Sequence, residues 1–123
     1  MDEAKVITIV DDDPSVRKAL GRLIKAAGYK AIAYDSAEAF LAASKSDQSD
    51  CLILDVQLPG MSGLELQANL AKEGSKCPIV FISAFSHEYA RGQAINAGEA
   101  RFLPKPLDAD ELIRCIAKMV VGE

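Results

Sequence analysis

The sequence has 123 residues and a formal net charge of −4, and half of its residues are hydrophobic. This length fits one ordinary domain, and the hydrophobic half is enough to build a core, which excludes the disordered class. The slight acidity speaks against direct DNA binding, which needs clustered Lys and Arg, and no apolar run reaches the roughly 20 residues that cross a bilayer. The acidic start Met1–Glu3 is unlike a signal peptide. We therefore expect neither nucleic acid nor a membrane as a direct partner of this domain.

The cysteines Cys51, Cys77 and Cys115 are far apart in the sequence. Their odd number and their spacing fit neither a disulfide framework nor a metal site. Free thiols are typical of a reducing compartment, so we expect a cytoplasmic protein.

The chain begins with a strand followed by an amphipathic helix. The strand Val6–Val10 is β-branched at every position, which is typical of a strand buried on both faces. Pro14 stands near the start of the helix and Gly28 at its end, both in the positions that these residues favour. One apolar stripe runs along it: Val16, Leu20, Leu23, Ile24 and Ala27.

The same unit occurs twice more in the next 45 residues. Lys30–Tyr34 is predicted to be a weak strand, and Asp35 with Glu38 looks like a capping pair for the helix behind it. The strand that begins at Cys51 ends on Asp55, and Ser62 with Glu65 then forms a capping box for the third helix.

Two further units complete the chain. A fourth strand, Pro78–Ile82, is followed by a fourth helix from about His87 to Ala97. A fifth strand, Arg101–Leu103, precedes a last helix, which Asp108 and Glu111 are predicted to cap. Strict alternation of strand and helix predicts an α/β fold, a doubly wound (βα)5 architecture with a five-stranded parallel sheet and right-handed crossovers.

Polar side chains follow four of the five strands. The first strand ends in Asp11–Asp13, the third in Asp55 and the fourth in Ser83, and Lys105 follows the fifth. Because ligands bind at the carboxyl ends of the strands in such sheets, we expect these groups to form one site. Asp13 precedes a proline at the start of a helix, and a capping role is the more ordinary interpretation for it.

The chemistry of this set indicates a hard cation and a phosphoryl group. Crowded carboxylates repel one another, and an all-oxygen ligand set favours Mg²⁺ over Zn²⁺. A carboxylate is also a competent nucleophile toward phosphorus. Lys105 and Ser83 could then meet the phosphoryl oxygens with a charge and a hydroxyl group.

Four segments carry a resemblance to a known family, the response regulator receiver domains of two-component signalling (the CheY-like superfamily). They are Ile9–Pro14, Leu52–Gly63, Ser83–Ala84 and Phe102–Pro106. The similarity extends from about Val6 to Val120 and is greatest to receivers of the FixJ type. It implies a flavodoxin-like fold with strand order 2-1-3-4-5. It also implies that residues 1–123 form a single receiver domain, with no output domain visible.

The resemblance implies that Asp55 is the phosphoacceptor. Asp12 and Asp55 would bind Mg²⁺ directly together with the backbone carbonyl of Gln57, and Asp11 would act through a metal-bound water. Mn²⁺ is expected to substitute for Mg²⁺.

The resemblance also assigns the residues that respond to the phosphoryl group. Lys105 would pair with the phosphoacceptor and then with the phosphate, and its bond to Pro106 is expected to be cis. Ser83 would close on the phosphoryl group and Phe102 would rotate with it. Gln57 and Phe85, each two residues beyond a site residue, would tune the lifetime of the phosphate.

A sensor histidine kinase is the partner that the resemblance implies. Phosphorylation is expected to alter the surface near the fourth helix and fifth strand, to support a homodimer there, and to control transcription through an attached or partner domain. The domain would be a signalling switch rather than an enzyme, catalysing only its own phosphotransfer and dephosphorylation.

Three other interpretations fit parts of the sequence. A pseudo-receiver would keep the fold and bind partners without phosphorylation, but the acidic residues, Ser83 and Lys105 are all intact. An aspartyl phosphatase of the haloacid-dehalogenase type needs a second Asp where Gln57 stands. A flavodoxin-like nucleotide binder would need a glycine-rich loop after the first strand, and the sequence has none there.

Overall fold

The computed structural model describes residues 4–43, 49–83 and 100–121. Within these ranges it has five strands and four helices. In chain order they are β1 (Val6–Val10), α1 (Pro14–Ala26), β2 (Lys30–Tyr34), α2 (Ala37–Ala43), β3 (Cys51–Asp55), α3 (Gly63–Lys72), β4 (Ile79–Ser83), β5 (Ala100–Pro104) and α4 (Ala109–Val121). The helix predicted from His87 to Ala97 lies outside the described residues.

The strands form one parallel sheet in the order β2-β1-β3-β4-β5, which confirms the predicted fold and strand order. Strands β1 and β3 are neighbours, with Val10 opposite Leu54. The residues that follow these two strands therefore leave the same edge of the sheet side by side.

Two hydrophobic cores cover the two faces of the sheet. Strand β3 contributes to both, because Leu52 and Leu54 pack into one core and Cys51 and Ile53 into the other. The apolar residues Cys51–Leu54 of β3 are buried, as their continuous pattern predicts, and Asp55 at the end of the strand is buried as well. In the part of the chain that the structure describes, no helix is both long and apolar enough to cross a membrane.

The predicted caps of the helices that follow β1 and β3 are both present. Asp13 is the N-cap of α1 and accepts a hydrogen bond from the backbone N–H of Ser15. Ser62 and Glu65 form the reciprocal capping box at the start of α3. In α4, the side chain of Asp108 accepts from the backbone N–H of Glu111.

The predicted capping pair of Asp35 and Glu38 is wrong. The hydroxyl of Ser36 accepts the hydrogen bond from the backbone N–H of Ala39 at the start of α2. The carboxylate of Glu38 instead accepts from the backbone N–H of Met61, 23 residues away. The prediction places the N-cap at Asp35, one residue before Ser36, because Asp and Ser are both favoured N-cap residues.

Candidate functional site

Three carboxylates converge where β1 and β3 end. Asp11 is fully buried, Asp55 is 4 % exposed and Asp12 faces solvent. One oxygen atom of each lies within 4.8 Å of an oxygen of the other two. The sheet register brings the Asp11–Asp12 pair and Asp55 together across 44 residues of sequence, as the strand-end argument predicts.

Lys105 lies between two of these carboxylates. Its Nζ is 3.1 Å from Asp11 Oδ2 and 3.3 Å from Asp55 Oδ2, and it donates a hydrogen bond to the Asp55 oxygen. The backbone N–H of Lys105 donates to the carbonyl of Ser83, which ties the segment after β5 to the end of β4. The Lys105–Pro106 peptide bond is cis.

Burial and the charges of the site leave the pKa values of both Asp55 and Lys105 above their ordinary values. Burial raises the pKa of Asp55, and the nearby Asp11 charge raises it further, against the opposing effects of the Gln57 N–H and of Lys105. Partial burial acts to lower the pKa of Lys105, but its contacts with Asp11 and Asp55 outweigh this, so the pKa is raised. A charged Lys105 therefore compensates part of the repulsion between the two carboxylates.

The donor set fits a hard divalent cation. Asp11 Oδ2 is buried and accepts no directed hydrogen bond, although Lys105 lies near enough for an ion pair. Among the described residues, the cluster holds three carboxylates and Lys105 pairs with two of them, so negative charge exceeds positive charge there. Buried uncompensated charge is costly, and oxygen ligands suit Mg²⁺.

The backbone that follows Asp55 is closely packed. The N–H of Gln57 donates to Asp55 Oδ1 at 3.0 Å and fixes the side chain in place. A Cβ atom at Gly63 would collide with the carbonyl oxygen of Asp55 and would lie 3.0 Å from Val56 Cα. The start of α3 can therefore approach the acidic site only because residue 63 is a glycine.

The two predicted switch residues sit on neighbouring strands. Ser83 is 1 % exposed at the end of β4, beside the site. Phe102 on β5 is half-buried and stacks on Phe81, with ring centroids 4.9 Å apart and planes at 17°. Phe85 lies outside the described residues.

Two contacts near the site were not predicted from the sequence. Arg17 Nη1 donates to the backbone carbonyl of Asp11 at 2.8 Å and holds the segment after β1. The Glu38 carboxylate accepts a hydrogen bond from the N–H of Met61, in the loop after β3. No pattern in the sequence distinguishes Arg17 from the other basic residues of α1, and Glu38 fits a capping motif equally well.

Comparison with known proteins gives a consistent set of relatives. A family model described as the response regulator receiver domain matches residues 7–117. The response regulator TmoT of Ectopseudomonas mendocina is 41 % identical over 115 residues, which are 94 % of this chain and 52 % of TmoT. The transcriptional regulator FixJ of Azorhizobium caulinodans is 32 % identical over 116 residues, covering 94 % of this chain and 55 % of FixJ.

Solved structures agree with the sequence relatives. The response regulator StyR superposes with a TM-score of 0.89 at 38 % identity, covering 97 % of this chain and 60 % of that one. The structure titled FixJ-N gives a TM-score of 0.86 at 30 % identity, covering 100 % and 98 %. The chain spans about half the length of the curated relatives it matches. It belongs to the response regulator receiver domains of two-component systems.

Proposed function

We propose that this domain accepts a phosphoryl group on Asp55 from a sensor histidine kinase, with Mg²⁺ bound, and thereby controls an output. The observation that carries the proposal is the position of the Asp55 carboxylate, held by the Gln57 N–H and Lys105 beside Asp11 and Asp12. The relative FixJ, a transcriptional regulatory protein, supports transcription as the output, exerted through an attached or partner domain. Residues 1–123 act as one receiver domain in this proposal.

The acidic residues hold the metal. Asp12, Asp55 and the backbone carbonyl of Gln57 are the proposed direct ligands, and Asp11 acts through a water molecule. Mg²⁺, or Mn²⁺ in its place, neutralises the charge of the carboxylates and of the phosphoryl oxygens when it is bound. The exposure of Asp12 leaves this side of the site open to an ion from solvent.

The transfer step exchanges one bond to phosphorus for another. An oxygen of Asp55 attacks the phosphorus of the phosphohistidine as the phosphorus–nitrogen bond breaks. The bonding electron pair stays with the imidazole, which is neutralised by a proton from water. Lys105 lies 3.3 Å from an Asp55 oxygen, so its charge is already in place to stabilise the phosphoryl oxygens during transfer.

The phosphorylated state differs mainly in charge. An acyl phosphate adds about −1.5 to −2 charges and three strong acceptor oxygens. The hydroxyl of Ser83 binds these oxygens and Phe102 changes position with it, so the population shifts toward a second arrangement of the neighbouring surface. Water later hydrolyses the acyl phosphate, at a rate that Gln57 and Phe85 modulate. The stack of Phe102 on Phe81 is the contact that this rearrangement would change.

The proposed partners follow from this scheme. The kinase delivers the phosphoryl group, and the phosphorylated domain pairs with a second copy through the predicted helix His87–Ala97 and β5. The domain makes no DNA contact of its own and acts in the cytoplasm. It remains a signalling switch, which turns over no substrate besides its own phosphoryl group.

The first test is intact mass after incubation with acetyl phosphate and Mg²⁺. We expect a gain of one phosphoryl group, about 80 Da, that disappears in Asp55→Asn and in EDTA. Absence of an adduct together with absence of beryllofluoride binding would identify a pseudo-receiver. Beryllofluoride binding without an adduct would instead indicate rapid hydrolysis.

A further inference from the structure

Glu38 connects helix α2 to the loop that follows the proposed phosphoacceptor. Its Oε2 accepts a hydrogen bond of 2.8 Å from the backbone N–H of Met61. The neighbouring Gly60 has a φ of 73°, and a Cβ atom there would lie 2.5 Å from the same Glu38 oxygen. A side chain at residue 60 would therefore meet both a strained backbone and the carboxylate of Glu38.

The two ends of this loop, residues 56–62, are held by backbone and capping hydrogen bonds, and the N–H of Val56 donates to the carbonyl of Ile82 on β4 at 3.0 Å. The N–H of Gln57 donates to Asp55 Oδ1, and that of Gly63 donates to the carbonyl of Val56 at 3.0 Å. The N–H of Ser62 donates to Glu65 at 2.9 Å. One end of the loop is thus fixed to β3 and β4 and the other to the start of α3, and the bond to Glu38 ties the part between them to α2.

In the part of the chain that the structure describes, no ion pair competes with the hydrogen bond from Met61 for the Glu38 carboxylate. The hydrogen bond from Met61 lowers the pKa of Glu38, so the side chain is ionised at neutral pH. A charged acceptor makes a stronger hydrogen bond to a backbone N–H than a neutral one.

We propose that Glu38 is a positioning residue for the metal site. By accepting the Met61 N–H, it holds the loop in the conformation that presents the Gln57 carbonyl beside Asp55. The inference rests on the proposed function, because it takes Gln57 as a ligand of Mg²⁺. Contacts behind metal ligands orient those ligands and affect metal affinity.

The test compares Glu38→Ala, Glu38→Gln and the control Glu73→Ala. Glu73 is an exposed residue at the far end of α3, and its replacement changes the net charge by the same amount. Mg²⁺ alone is titrated into each protein and followed by the backbone amide resonances in nitrogen-15 NMR. Hydrogen exchange of the Met61 amide is measured separately in metal-free buffer.

We expect the dissociation constant for Mg²⁺ to rise about 3- to 10-fold in Glu38→Ala, at or below the low end of the range for outer contacts of metal sites because Glu38 is exposed. Glu38→Gln keeps an acceptor oxygen and should stay within about two-fold of the wild type, as should Glu73→Ala. The Met61 amide should lose protection in Glu38→Ala only.

The remaining outcomes overturn the inference. An unchanged constant in Glu38→Ala would show that the tether does not affect the metal site. An equal rise in Glu73→Ala, or in Glu38→Gln, would assign the effect to net charge. A wild-type domain that binds no Mg²⁺ would overturn the proposed metal site itself, whereas normal wild-type binding with an unchanged variant overturns only the role of Glu38.

Discussion

The backbone of Gly63 packs directly against the carbonyl group of Asp55, so closely that a Cβ atom at residue 63 would collide with the carbonyl oxygen. The obstructing atoms belong to the backbone of Asp55 and Val56 and cannot turn aside as a side chain can. Helix α3 therefore begins against the residue that carries the proposed phosphoryl group. A shift of this helix start and a shift of Asp55 are mechanically linked.

Replacement of Gly63 by Ala should destabilise the domain. Because the added methyl group must displace backbone in a closely packed region, we expect the free energy of unfolding to fall by about 1 to 3 kcal/mol. The sequence contains no Trp, so urea unfolding is best followed by far-ultraviolet circular dichroism. The matched control is Gly21→Ala in α1, where a Cβ atom meets nothing within 4 Å. Alanine is the better helix former, so the control should gain about 0.5 to 1 kcal/mol. Equal effects at the two glycines would contradict the packing argument.

Asp55→Asn should stabilise the domain in the absence of divalent metal. Asp55 is 4 % exposed and lies beside the charge of Asp11, and both its burial and that charge disfavour its ionised form. Asparagine removes the negative charge and keeps the shape of the side chain, so the metal-free variant should be the more stable protein.

In the wild type, Mg²⁺ at ten times its dissociation constant should add about 1.4 kcal/mol of stability, and EDTA should remove it. Thermal unfolding with and without Mg²⁺ measures both effects. A metal response of equal size in Asp55→Asn would argue against Asp55 as a ligand.

Asp12 and Asp13 are adjacent in sequence but should differ in their effect on metal binding. Asp12 belongs to the carboxylate cluster, whereas Asp13 caps α1 and its side chain accepts from both the N–H and the hydroxyl of Ser15. Asp12→Ala should therefore abolish Mg²⁺ binding. Asp13→Ala should change the dissociation constant by less than about three-fold while lowering the melting temperature, because it removes an N-cap. A calorimetric titration of each variant with Mg²⁺ decides this. Equal loss of affinity would make Asp13 part of the metal site.

The convergence of the site could be predicted because it depends on the order of strands. Once β1 and β3 are neighbours, Asp11, Asp12 and Asp55 must leave the same edge of the sheet, and Lys105 follows from its place after β5. The strand pattern predicts the parallel sheet and the edge at which the polar residues lie, and the resemblance to receiver domains implies the strand order that makes β1 and β3 neighbours.

Side-chain contacts between loops could not be predicted in this way. The sequence predicts that Glu38 caps its own helix, because a carboxylate three residues after Asp35 satisfies a local motif. Its actual acceptor role depends on how near α2 approaches Met61, which no local pattern encodes. The bond from Arg17 to the Asp11 carbonyl is a similar case, since it depends on the rotation of α1 relative to the sheet.

The contact between Glu38 and Met61 should titrate in acid. The pKa of Glu38 is lowered below its ordinary value of 4.5, chiefly by the hydrogen bond from Met61. A lowered pKa in the folded state means that the contribution of this bond to stability is fully present above pH 4.5 and is lost as the pH falls through the folded value. The chemical shift of the Met61 amide should therefore change with a midpoint below 4.5 and should not titrate in Glu38→Gln. A midpoint at or above 4.5 would show that the bond is absent in solution.

The three cysteines should be unreactive while the domain is folded. Burial raises the pKa of Cys51, Cys77 and Cys115, and that of Cys77 rises from 9.0 to about 11. Since only the thiolate reacts, a shift of this size makes the reactive fraction of Cys77 at pH 8 about 100-fold smaller. Cys51 is also fully buried, in the hydrophobic core on one face of the sheet.

Reaction with Ellman's reagent should be slow for all three cysteines in the native protein and should reach three thiols per chain rapidly in urea. Rapid reaction of a single thiol in the native protein would contradict this prediction, and the variants Cys77→Ser and Cys115→Ser would identify which one. Because the thiols are kept protonated, they should also resist oxidation by air. Exposure of the domain to air should therefore leave its Mg²⁺ affinity unchanged.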